Sequence, residues 1–274
     1  MPPILSIIIP AYNAGEYLEE TIRAVLAEDF QDWELIVINN ASTDNTASIL
    51  VKIREELKDT RIRILTNAAT LPACENWNLA IRQAKGEFMK VICADDRPAE
   101  GSLQRQVEGL RQNPNVVLAT GARVIINAKG KKLFTTNRLG KKGVSKGRDV
   151  IRRCALAGTN IIGDPVHVMW RGAAMERVGS FDPSIRYATD LDYWLKLLSV
   201  GDLYYDPTPA GYYRIHGGAD SSGQWKATTD WVLKIFAAQR KLNHLKMSDL
   251  NFAYIAVKAY LQGFLRGQIY KYLS

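Results

Sequence analysis

Strand-length runs rich in apolar residues return at near-even spacing through the first 120 residues, and a stretch of helical periodicity follows each. The first, residues 4–9, is almost wholly apolar and closes at Pro10, as expected of a strand buried on both faces. Residues 35–38, 62–65, 88–92 and 115–120 repeat the signal. Between them, residues 16–27, 45–57, 72–84 and 103–110 carry helical spacing, with Tyr17, Ile22, Val25 and Leu26 on one side of the first. Strands alternating with helices of this length predict βαβ units. The expected fold is therefore α/β: a Rossmann-like, mainly parallel sheet flanked by helices, with right-handed crossovers. Ligands of such sheets bind beyond the carboxyl ends of the strands. The chain places polar pairs there: Tyr12 and Asn13 after the first strand, Asn39 and Asn40 after the second, Asp95 and Asp96 after the fourth.

The pattern changes after Gly121. Residues 124–127 and 132–135 predict a hairpin around Ala-Lys-Gly, followed by a Gly- and Lys-rich loop over 137–148. A strand at 166–170, a helix over 190–200 and a strand at 212–215 come next, then two helices from Thr228 onward, the second over 252–272. The economical reading is one domain over 1–225, in two halves (1–121 and 122–225), with a helical C-terminal extension over 226–274.

The net charge of +8 hides an asymmetry. Residues 129–153 carry +9 and residues 226–274 carry +6, which leaves −7 on the rest. Such basic segments suit an anionic surface or ligand, or simply a solvated face. They lack interleaved stacking aromatics, so no nucleic-acid partner is expected. No apolar run nears the ~20 residues a membrane-spanning helix needs, and no basic segment precedes the short apolar run at the N-terminus. Cys74, Cys93 and Cys154 are too few and too scattered for a disulfide framework or a metal cluster. A cytoplasmic protein is expected.

Four clusters carry candidate chemistry. Asp95 and Asp96 repel each other unless a cation or donors lie between them, and Mg²⁺ or Mn²⁺ shared with a phosphate would supply that. The same pair, set before Arg97-Pro98, also suits a helix cap. Residues 34–44 end in Ser42-Thr43-Asp44, a capping segment, and Pro10-Ala11-Tyr12-Asn13 reads as a turn. Asp190, in Thr189-Asp190-Leu191-Asp192, is either a cap or a carboxylate set to take a proton.

In order, Pro-x-Tyr-Asn (10–13), Ser-Thr-Asp (42–44), Asn-Trp-Asn (76–78) before Ala-Lys-Gly-Glu-Phe (84–88), Asp-Asp (95–96), Thr-Asp-Leu-Asp-Tyr-Trp (189–194) and Tyr-Arg-x-His (213–216) resemble glycosyltransferase family 2 over about residues 6–216. The resemblance implies a GT-A fold, with 1–121 nucleotide-binding and 122–225 acceptor-binding. It implies inverting transfer of a sugar from a nucleoside-diphosphate sugar, UDP-linked, to a hydroxyl of a saccharide or lipid-linked acceptor. Pro10, Ala11, Tyr12 and Asn13, with Asn39 and Asn40, would hold the base and ribose. Asp95 would coordinate Mn²⁺ or Mg²⁺, with Asp96 on the ribose or a metal-bound water and His216 completing the metal shell or touching the diphosphate. Asp190 would be the general base, and Gly163, Asp164 and Arg214 would contact acceptor or phosphate. Asp192 falls to a structural role, and Trp170 and Trp194 to the core or to an acceptor platform, the core being favoured.

Asn39, Asn40, Cys93 and Thr189 stand where the family has acidic residues. An Asn can still accept from uracil N3–H and donate to O4, whereas Cys93 suits a hard cation poorly. The rival reading is therefore a catalytically inactive nucleotide- or saccharide-binding module. The basic segments suit peripheral association with an anionic inner membrane face. The aromatic and aliphatic residues of the tail suit core packing, a homo-oligomer through the C-terminal helices, or membrane contact.

Overall fold

The computed structural model describes residues 2–217 and 224–273. The N-terminal part comprises β1 (Leu5–Ala11), α1 (Leu18–Leu26), β2 (Trp33–Asn39), α2 (Thr46–Leu57), β3 (Ile62–Thr66), α3 (Ala73–Ile81) and β4 (Phe88–Val91). β5 (Arg97–Pro98), α4 (Ser102–Arg111), β6 (Val116–Asn127), β7 (Lys132–Thr136), β8 (Gly143–Ser145) and α5 (Gly147–Ala157) follow. The chain continues through β9 (Met169–Arg171), α6 (Met175–Val178), α7 (Thr189–Leu198), β10 (Asp202–Ile215), α8 (Trp225–Lys241) and α9 (Asp249–Leu273).

β3, β2, β1 and β4 lie side by side and parallel, in register pairs such as Ile7–Leu35 and Ser6–Met89. β9 is inserted antiparallel between β4 and β6, β10 runs parallel to β6, and the short β5, β7 and β8 pair antiparallel beyond. The sheet is thus parallel where βαβ units build it and mixed farther on.

Side-chain alternation divides the core between the two faces. Leu5, Ile7 and Ile9 of β1 pack with Leu18 and Ile22 of α1, Leu50 of α2 and Leu103 of α4. Ile8 of β1 faces the other way, into a cluster that joins Ala80 of α3, Val150 of α5, Trp194 of α7, Phe236 of α8 and Ile255 of α9. On that side Trp170, Phe181, Tyr193 and Trp194 are all buried; the Phe181 and Tyr193 rings stack at 3.9 Å and those of Trp170 and Trp194 approach to 5.6 Å. Tyr193 and Trp194 of α7 thus join Trp170 and Phe181 in an aromatic bed that seats α7 on the core.

Two differences from the sequence pattern have a common cause. The strand expected at 115–120 and the first hairpin strand are one continuous β6, with Gly121 inside it. A Cβ at Gly121 would stand 2.6 Å from the Thr208 carbonyl oxygen, so the glycine permits close backbone approach and ends nothing. Opposite it, β10 starts at Asp202, far ahead of the expected 212. Pro207 and Pro209 hid its first half, and register shifts against β6 between Asp206 and Gly211 absorb them. Among the described residues no helix is long and apolar enough to cross a membrane.

Trp170 is fully buried at the centre of this aromatic bed. Trp170→Ala is expected to cost about 3–5 kcal/mol in urea unfolding, and a loss below about 1 kcal/mol would contradict the packing described.

Candidate active site

The carboxyl ends of β1 and β2 are tied together by the Ser-Thr-Asp segment. The Asn13 side-chain oxygen accepts from the Thr43 N–H at 2.8 Å, the Asn13 N–H donates to Ser42 Oγ at 3.1 Å, and the Gly15 N–H donates to Asp44 Oδ2 at 2.9 Å. Ala11 is buried, Pro10 partly so, and Tyr12 stands 53% exposed above them. Asn39 is buried and its Oδ1 accepts from the Ser42 N–H. Asn40 was expected at the base, but its amide is spent elsewhere. Its Nδ2 donates to the Leu71 carbonyl, and its Oδ1 accepts from the Leu71 N–H and the Asn67 amide. Asn40 therefore pins the loop ahead of α3.

Beyond β4, donor atoms of Cys93, Asp95 and Asp96 lie within 4.8 Å of one another. Asp95 Oδ2 is 2.8 Å from His216 Nε2, which β10 delivers from 121 positions along the chain. Asp96 is buried; its Oδ1 accepts from the Arg214 N–H at 2.9 Å, while its Oδ2 has no partner among the described residues. Burial first, and then the Asp95 charge, push the Asp96 carboxyl well above the ordinary range. A buried carboxylate oxygen without a donor, beside a second carboxylate and an imidazole, is a donor set that fits a divalent cation.

Arg214 was expected on phosphate or acceptor, and the structure places it otherwise. It is 2% exposed, and its Nε, Nη1 and Nη2 donate to the Asp95 carbonyl, the Ala128 carbonyl and Glu20 Oε2 at 2.8, 2.9 and 2.7 Å. The guanidinium also lies 4.5 Å from the centre of the Tyr17 ring. It is a clamp on the Asp95–Asp96 loop.

Asp190 lies in the first turn of α7, after Ala188 in a left-handed conformation. Its Oδ2 accepts from Asn160 Nδ2 at 2.8 Å. Asn160 is itself fixed by the Ile162 and Gly163 N–H groups. Gly163 was expected to meet ligand, yet its carbonyl accepts from Asn160 Nδ2 and Trp194 Nε1, both at 3.0 Å. A Cβ on it would lie 2.8 Å from that of His167, so Gly163 is the support behind Asp190. Asp164 pairs with Arg123 at 2.7 Å. Burial would raise Asp164, but the Arg123 charge, then His167 and the hydrogen bond from Arg123, together hold the carboxyl below the ordinary range. At Asp190, burial, then the Asp164 charge, outweigh the more weakly felt Arg123 and push the carboxyl up to about 6. Thr189 lines the same cavity as Asp190 but donates its hydroxyl to the Ile185 carbonyl, whereas buried Asp192 pairs with Lys196 at 2.7 Å, away from this chemistry.

A cavity of about 530 Å³ brings Cys93, Asp164 and Asp190 together. Its walls also include Arg123, Asn160, Trp225 and Arg266, none of which the motifs singled out. Arg123 had a signal, as the one charged residue in the apolar run of β6. Trp225 and Arg266 had none, because only the packing of α8 and α9 returns them to the sheet.

The sequence profile described as glycosyl transferase family 2 matches residues 6–182. The chain belongs to glycosyl transferase family 2, and it is a glycosyltransferase of GT-A fold. It is 28% identical over 255 residues to TuaG of Bacillus subtilis (strain 168), a glycosyltransferase whose name places it in teichuronic acid biosynthesis, covering 92% of this chain and 94% of that one. Staphylococcus aureus TarS 1–349 in complex with UDP-GlcNAc is similar in fold, with TM-score 0.67, 17% identity, and coverage of 94% of this chain and 71% of that one. The mannosyltransferase PcManGT of Pyrobaculum calidifontis, in complex with GDP-Man and Mn²⁺, gives TM-score 0.63 at 18% identity, covering 100% of this chain and 85% of that one.

The raised Asp190 makes a stability prediction. A carboxyl held near 6 in the fold keeps a proton that the unfolded chain has released, so its contribution falls as pH rises from about 4 to about 6. In urea unfolding across that window the wild type is expected to lose up to about 3 kcal/mol relative to Asp190→Asn. A difference that does not vary with pH would contradict the environment described.

Proposed function

We propose that the chain is an inverting glycosyltransferase that moves a sugar from a UDP-linked donor to a hydroxyl of a saccharide or lipid-linked acceptor, with Asp190 as general base. One observation carries the reading: the cavity that holds Asp190 is also lined by Cys93, which opens the Cys93–Asp95–Asp96 cluster. Asp190 and one member of that cluster, Cys93, thus line one space, with Asp95 and Asp96 two and three residues farther along the same loop.

In the proposed reaction, Asp190 takes the proton of the acceptor hydroxyl. The acceptor oxygen bonds to the anomeric carbon from the face opposite the diphosphate, the bond from that carbon to the diphosphate oxygen breaks, and the nucleoside diphosphate leaves. Asn160 holds the Asp190 carboxylate in its orientation, while Asp164, kept ionised by Arg123, favours uptake of a proton at Asp190. Asp95, Asp96 and His216 would hold Mn²⁺ or Mg²⁺. The ion, when bound, neutralises charge developing on the diphosphate. Tyr12, exposed at the end of β1, is the candidate partner of the base, with Asn39 beneath it. The uridine assignment draws on the likeness to TarS, which has been captured with UDP-GlcNAc. The saccharide acceptor draws on TuaG, named for a polysaccharide.

Calorimetric titration of UDP, GDP and dTDP, each with Mn²⁺ and with EDTA, tests the nucleotide and metal together. UDP is expected to bind only with metal and to lose that binding in Asp95→Asn. Folded protein that binds none of the three would sink the proposal. Asp190→Asn is expected to keep UDP binding and to lose about 10²–10⁴-fold in turnover; turnover within a few-fold of wild type would remove Asp190 from the base role.

A further inference from the structure

α9 presents an outer face unlike that of an ordinary surface helix. Leu250, Tyr254, Val257, Leu261 and Leu265 are 81, 68, 62, 61 and 59% exposed, and Phe264 is 47% exposed beside them. Their spacing places them on one stripe, about 22 Å long from Leu250 to Leu265 at the helical rise. From Leu250 to Ile269 no exposed position of the helix carries a charge. The two charged side chains in that span are tied off the stripe: Lys258 Nζ donates to the Leu156 carbonyl at 2.8 Å on the flank toward α5, and Arg266 reaches Thr159 Oγ1 at 3.4 Å. The inner side is filled by small residues in close contact. A Cβ on Gly263 would meet Thr229 Oγ, one on Gly267 would meet the Trp225 ring, and Gly158 lies against Ala259. The apolar stripe is therefore left facing outward.

The borders of the stripe are cationic. On one side α5 exposes Arg148 and Arg152, with Asp149 between them leaving a net positive charge, and, one turn on, Leu156, whose carbonyl holds Lys258. At the other end the turn between α8 and α9 exposes Lys241 and Lys246 around Leu242, itself 60% exposed. Asp249, the acidic residue of α9, is already paired with Arg240 at 2.7 Å. Two copies pairing this face about a two-fold axis would set these cations against one another. An anionic lipid surface has the opposite charge and accepts the stripe into its interfacial zone. We propose that the outer face of α9, with the flanking cations of α5 and of the α8–α9 turn, docks on an anionic membrane surface. The inference does not depend on the proposed reaction, since none of these residues is assigned to it.

The test is co-sedimentation of the full chain with vesicles of phosphatidylcholine alone and of phosphatidylcholine mixed with phosphatidylglycerol, at low and high salt, beside sedimentation velocity without lipid. The expected result is binding to the mixed vesicles at low salt, weakened by salt and absent from the neutral ones. Leu261→Glu and the pair Arg148→Glu with Arg152→Glu are each expected to weaken it at least tenfold, each surface cation being worth roughly fivefold. Both alter exposed positions, and an unchanged thermal transition separates lost docking from lost folding. Protein left in the supernatant with the mixed vesicles at low salt would overturn the proposal. So would binding that neither variant weakens, or a lipid-free dimer that Leu261→Glu dissociates, which would give the face to a second copy.

Discussion

Arg214 joins α1, the loop after β4 and the turn after β6 to β10. Its backbone N–H meets Asp96, its guanidinium spans the Asp95 carbonyl, the Ala128 carbonyl and Glu20, and Tyr17 packs on its face. Through it the last strand is locked to the loop after β4, and His216, two residues farther, arrives at Asp95. A charge buried to this degree is tolerated only when its donors are satisfied, and here each guanidinium nitrogen has an acceptor. The clamp fixes the backbone that carries Asp95 and Asp96, while the Arg214 N–H holds the Asp96 carboxyl and His216 holds that of Asp95. Thr21 adds to it by donating its hydroxyl toward the carbonyls of Ala94 and Asp96.

The cavity around Asp190 works by separating two acids. Asp164 and Asp190 face the same space, yet Arg123 holds one carboxyl low while burial and the resulting negative charge raise the other. Pairs whose environments push them apart are how one site holds both a fixed charge and a proton acceptor. The supports are rigid: Asn160 is pinned by two backbone N–H groups, and Gly163 is pinned by Trp194 of the aromatic bed. Core packing and the carboxylate proposed to take a proton are thus one continuous structure.

Much of this was legible in the chain. The βαβ half followed from periodicity alone, because strands buried on both faces leave continuous apolar runs. The family followed from the order of motifs that are weak one by one. What the sequence obscured has physical causes. An Asn or Arg beside a ligand site is written with the same letter whether it meets ligand or ties loops, which is why Asn40, Arg214 and Gly163 were expected on ligand and are found holding the backbone. Pro207 and Pro209 masked half of β10, since the bulges that admit them depend on a partner strand. Trp225 and Arg266 reach the cavity only because glycines on α9 let two helices pack closely, a tertiary event that local sequence does not announce.

The central claim is that the Asp95–His216 pair and Asp190 serve one ligand in one cavity. A crystal structure of the protein with UDP and Mn²⁺, with the ion located by its anomalous scattering, addresses it directly. The account predicts one manganese peak within coordinating distance of Asp95 and His216, shared with the diphosphate, and a nucleotide whose β-phosphate points into the space before Asp190. Manganese bound away from Asp95, or a diphosphate turned out of that cavity, would contradict it.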